Sequence, residues 1–146
     1  MESVLSQLYR ALERKHRSVV QTYLDTLGLY IGQPRFLFEL YRNPGLTQRE
    51  LAEILVVTKE TVSVALKRLE QGGFIRREIP EDDKRCRQLY LTEKGEATIV
   101  ELKKNFDSIN NSMFLNLSTE QQLQLEELLT EMIKGLEARE TNENVL

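Results

Sequence analysis

The sequence has one cysteine and one histidine in 146 residues, which excludes an internal disulfide framework and a clustered-histidine metal site. Long apolar runs are missing as well. No uninterrupted stretch approaches the ~18 residues of a membrane span, so no membrane partner is expected. The opening MESVLSQLYRALERKHR has no short apolar core ahead of a small-residue cleavage site, so a cytoplasmic protein is expected. A positive excess is absent too: 20 Lys+Arg stand against 23 Asp+Glu, a net charge of −3, and no global field announces a nucleic-acid partner. No nucleophile, base and orienting group can be assembled from one histidine and one cysteine, and there is no glycine-rich phosphate loop, so an enzyme is not expected. Internal repeats and low-complexity segments are lacking.

What remains, 40% hydrophobic and 29% charged residues, suits one ordinary domain. Its charge is uneven. Residues 118–146 carry 7 acidic and 2 basic side chains, while 47–90 carry 9 basic and 8 acidic, with basic clusters at Lys67-Arg68, Arg76-Arg77 and Lys84-Arg85 with Arg87. The acidity therefore belongs to the C-terminal segment.

Apolar residues from Val4 and Leu5 to Leu24 and Leu27 recur at helical spacing and predict one long amphipathic helix ending near Gly28. His16 falls on that stripe and reads as a packed or interface residue rather than a ligand. Gly32-Gln33-Pro34 breaks the chain, and Phe36, Leu37, Leu40 and Tyr41 form a short helix stopped by Asn43-Pro44-Gly45. Thr47-Gln48-Arg49-Glu50 matches a capping box and starts the next helix. Val56-Val57 leads tightly to Thr58, a second cap, and Val62, Ala65, Leu66 and Leu69 give one apolar face up to Gly72-Gly73. Two short helices so separated read as a helix-turn-helix.

Residues 74–79 and 87–91 are strand-like and predict a hairpin with a charged tip. Thr92 opens a further helix with a seam from Ile99 to Leu117, and Ser118-Thr119-Glu120-Gln121 is another capping box, heading a final helix striped by Leu125, Leu128, Leu129, Met132, Ile133 and Leu136. The expected fold is mainly α with a small β-hairpin wing: a winged helix-turn-helix over 34–95, flanked by a helical dimerisation region at 1–33 and 96–146. Outer helices this apolar on one face are buried most simply against a second copy, giving a homodimer.

This order of elements suits duplex DNA, with the helix 58–71 in the major groove and the wing 80–87 at the minor groove. Lys59, Glu60, Thr61, Ser63, Val64, Lys67 and Arg68 are the candidates to face outward from that helix, and Thr58, Lys59, Thr61, Ser63, Val64 and Lys67 the candidates to contact DNA. Arg85 is the candidate for a narrow minor groove, Lys84 and Arg87 for flanking phosphates, and Asp83 for supporting the turn. Cys86 lies between two arginines that favour its thiolate, but incidental wing placement is the better reading.

The run LTQRELAEILVVTKETVSVALKRLEQGGFIRREIPEDDKRCRQLYLTEKG closely resembles the multiple antibiotic resistance regulator (MarR) family. The resemblance is carried by the exit through Leu69, Glu70, Gly73, Ile75 and Arg77, the wing pair Asp83 and Arg85, and Leu91, Thr92 and Gly95. It implies a dimeric transcriptional regulator, more often a repressor, that binds a pseudo-palindromic double-stranded DNA operator. No cofactor is expected, and a small-molecule effector in a cleft between the dimer and DNA-binding regions is the family's usual release signal. Val64 stands where many relatives carry arginine, and Val56 where many carry glycine, so the operator sequence cannot be carried over. The alternative reading is a winged-helix protein-interaction module without DNA binding, which the acidic total and Val64 favour.

Overall fold

A computed structural model of the chain describes residues 1–82 and 86–145. In chain order it contains α1 (Val4–Asp25), α2 (Pro34–Arg42), β1 (Leu46–Thr47), α3 (Gln48–Leu55), α4 (Lys59–Gln71), β2 (Ile75–Glu78), β3 (Gln88–Leu91), α5 (Glu93–Phe114) and α6 (Thr119–Val145). Two compact units divide the chain, Met1–Asp107 and Ser108–Leu146. No described helix is long and apolar enough to cross a membrane.

The first unit holds the core. Ser3 caps α1 by accepting from the Ser6 N–H at 3.1 Å, but only the C-terminal end of this helix is inside. Leu24 is buried and Val20, Tyr23 and Leu27 pack on the core, whereas Val4, Leu5, Leu8 and Leu12 are 52–74% exposed. The Tyr23 ring meets Phe106 edge-on at 6.1 Å, and burial raises its hydroxyl pKa above the usual tyrosine value. Around Leu24 the core gathers Phe36, Leu37 and Leu40 from α2, Leu51 from α3, Val62, Leu66 and Leu69 from α4, Leu89 from β3, and Ile99 and Leu102 from α5. Each set recurs at helical spacing, so one hydrophobic seam per helix is removed from water.

The expected hairpin is part of a three-stranded antiparallel sheet of order β1-β3-β2. Its third member, Leu46–Thr47, pairs Leu46 with Leu89 and Thr47 with Gln88, while Ile75 faces Leu91 across the hairpin.

A small clamp joins the end of α4, the base of the wing and the start of α5. The Thr92 N–H donates to the Phe74 carbonyl at 3.0 Å and the Thr92 hydroxyl to the Gly73 carbonyl at 2.5 Å. The Thr92 hydroxyl in turn accepts from the Gly95 N–H at 3.1 Å, and Lys94 Nζ donates to the Gly72 carbonyl at 2.7 Å. Gly95 lies so close to the strand that a Cβ placed there would fall 2.1 Å from the Phe74 carbonyl oxygen. The leucine-threonine-glycine spacing is thus a packing requirement.

In the second unit Ser118 and Gln121 form the capping box of α6, each side chain accepting from the other's N–H, at 3.1 and 2.9 Å. Leu123, Leu128, Leu129, Met132, Ile133 and Leu136 on this helix are 41–67% exposed.

Candidate nucleic-acid interface

The reading head is built from α3, its turn and α4. Thr47 accepts from the Glu50 N–H and Glu50 accepts from the Thr47 N–H, both at 3.2 Å, which completes the capping box of α3. The helix ends at Val56 in the left-handed region, φ 53° and ψ 53°, and Val57 turns the chain by donating to the Ala52 carbonyl at 3.1 Å. Val56 is 88% exposed, so nothing packs its side chain in return for the strain of a β-branched residue there. Val56→Gly is accordingly expected to raise unfolding stability by about 1 kcal/mol in urea titrations, strain relief exceeding the entropy lost with glycine. A loss of stability would contradict that.

Thr58 is the N-cap of α4 rather than its first residue: its hydroxyl accepts from the Thr61 N–H at 3.1 Å and donates to the Thr61 hydroxyl at 2.9 Å. Val62, Leu66 and Leu69 form the buried seam. Lys59, Thr61, Ser63, Val64 and Lys67 all remain exposed on α4, as the sequence pattern indicates. Val64, two residues from both Val62 and Leu66, points directly away from the core and is 54% exposed.

Other cations are engaged within the fold. The Arg77 guanidinium donates to Glu70 at 2.5 Å and to Gln48 at 3.3 Å, tying α4, β2 and α3 together. Arg76 pairs with Glu78 and lies over the Tyr90 ring at 4.7 Å. The Arg76-Arg77 cluster thus serves the base of the wing. Arg87 is exposed beside β3, as is Cys86, whereas Asp83, Lys84 and Arg85 lie outside the described residues.

Sequence reasoning missed a cavity of about 430 Å³ between the α1–α2 connection and α4. Tyr30, Ile31, Gly32, Gln33, Arg35 and Phe36 form one wall, and Glu60, Thr61, Val64, Ala65 and Arg68 the other. The Arg68 guanidinium lies 5.1 Å from the Tyr30 ring centre and that of Arg35 5.3 Å from the Phe36 ring, within cation–π range. Gln33, only 6% exposed, accepts from the Tyr30 N–H at 2.9 Å through its side-chain oxygen.

A capped helix pair with a free outer face, followed by an antiparallel hairpin, defines a winged helix-turn-helix protein. The model of the MarR family matches residues 27–85. The transcriptional regulator BilQ of Clostridium symbiosum is 33% identical over 115 residues, covering 79% of this chain and 80% of its own. The uncharacterised regulator YybA of Bacillus subtilis is 29% identical over 133 residues, covering 91% and 86%. The crystal structure of the S. aureus MepR–DNA complex is similar at a TM-score of 0.68 and 28% identity, covering 92% of this chain and 99% of MepR. The chain belongs to the MarR family and is a transcriptional regulator rather than an enzyme.

Proposed function

We propose that the chain is a homodimeric, sequence-specific DNA-binding repressor acting in the cytoplasm, with α4 in the major groove and the wing at 80–87 against the minor groove. The observation that carries this reading is the outer face of α4, where Lys59, Thr61, Ser63, Val64 and Lys67 stand exposed on a helix whose other side is locked into the core. MepR, a relative of the same fold, has been crystallised on DNA. Two exposed apolar stripes, on α1 and α6, support pairing with a second copy, which would set two recognition helices about one helical turn of DNA apart. The proposed effector site is the Tyr30–Arg68 cavity, whose size suits a small molecule and whose guanidiniums and rings suit a planar anion.

Selection of bound sequences from random duplexes, followed by titration at several salt concentrations, tests the reading. A pseudo-palindromic motif is expected, with log affinity falling linearly in log salt. Lys67→Ala should weaken all duplexes alike and reduce the salt slope by about 2, one phosphate in each half-site. Enrichment of no motif and a flat salt response would favour a protein-interaction module instead.

A further inference from the structure

Resting on the DNA-binding reading, we infer that the half-site is read through a thymine 5-methyl group seated against Val64. The first two turns of α4 expose Lys59, Glu60, Thr61, Ser63 and Val64. None of these is arginine, asparagine or glutamine, and Lys59, the one side chain among them that can pair with a guanine edge, stands five residues before Val64 and projects from a different side of the helix. The nearest guanidinium on the helix, Arg68, lies over the Tyr30 ring at 5.1 Å. Glu60 sits in the first turn, where the helix dipole favours a carboxylate, which gives it a place without a base partner. Thr58 is held as the cap, and its hydroxyl donates to that of Thr61, leaving the Thr61 methyl as part of the apolar surface.

The outermost point of the helix is therefore hydrocarbon. Val64 projects directly away from the buried seam and is 54% exposed, and Thr61, one turn earlier, is its neighbour on the same face. Three methyl groups meet whatever lies deepest in the groove. The only apolar group a base edge offers in the major groove is the thymine methyl. Cytosine lacks it, and guanine presents two acceptors that valine cannot satisfy.

The test uses the full-length protein and its selected operator. Thymine at the position protected by α4 is replaced by deoxyuridine, which removes only the methyl. Affinity should fall about fourfold per half-site and about fifteenfold for the two-fold site, the effect of one buried methyl each. Val64→Ala should bind the thymine operator correspondingly less well and no longer distinguish it from the uracil one; Lys67→Ala should keep the discrimination while binding more weakly. Circular dichroism of Val64→Ala should be unchanged because the side chain is outside the core. Equal affinity of the wild type for thymine and uracil duplexes would overturn the proposal while leaving DNA binding intact. An invariant C·G pair under α4 whose preference is abolished by Glu60→Gln would overturn it as well. Failure to bind any duplex would overturn both it and the function on which it rests.

Discussion

Gly95→Ala is expected to lower unfolding stability by about 3 kcal/mol, and the melting temperature of a chain of this length by about 10 °C. The added Cβ would sit 2.1 Å from the Phe74 carbonyl oxygen, a backbone atom that cannot rotate aside. Relief requires α5 to back away from the strand, which breaks the Thr92 and Lys94 hydrogen bonds to the carbonyls of Gly72, Gly73 and Phe74. Gly135→Ala is the matching control. A Cβ at Gly135 in α6 meets nothing within 4 Å, so the same substitution should stabilise by up to about 1 kcal/mol through helix propensity. Calorimetry on the pair decides: equal melting temperatures for the two variants would show that close approach at Gly95 is not what the site requires.

The second large effect concerns the α6 stripe. The double substitution Leu128→Glu with Met132→Glu puts two charges on neighbouring exposed positions, 61% and 48% accessible in the single chain. Such a change is nearly neutral on a helix that faces water and severe on one that faces a partner. Sedimentation should show the protomer mass in place of the dimer, and operator affinity should fall by about 100-fold or more as two linked half-site contacts become independent. A dimer of unchanged mass and affinity would remove α6 from the interface.

Much of the fold was legible because its signals are local. The capping boxes at Thr47 and Ser118 are short-range hydrogen-bond patterns, and both occur as spelled. The second helix of the reading head announces itself by an apolar seam, of which Val62, Leu66 and Leu69 are buried and Ala65 half-buried. β1 left no trace for the opposite reason. Two residues carry no periodicity, and Thr47 already had a local explanation as a cap, so its pairing with Gln88 needed the three-dimensional neighbour. The basic clusters divide similarly. Lys67 is exposed as its position on the helix suggests, but Arg77 is tied to Glu70 and Gln48, a partnership spanning 7 and 29 residues that no charge count resolves. The cavity was invisible because its two walls lie far apart in the chain and meet only through tertiary packing.

Thr61 and Val64 belong both to the wall of that cavity and to the outer face of α4. Any ligand seated there would cover protein atoms that the operator also contacts, with no second conformation needed to connect the two. Release would then be competitive. The effector concentration needed for half-release should rise in proportion to free operator, and by linkage a saturating operator should exclude the effector to the same degree. A regulator that worked this way would need no moving part, and its sensitivity would depend on how many operator copies compete for the same face as well as on the two affinities.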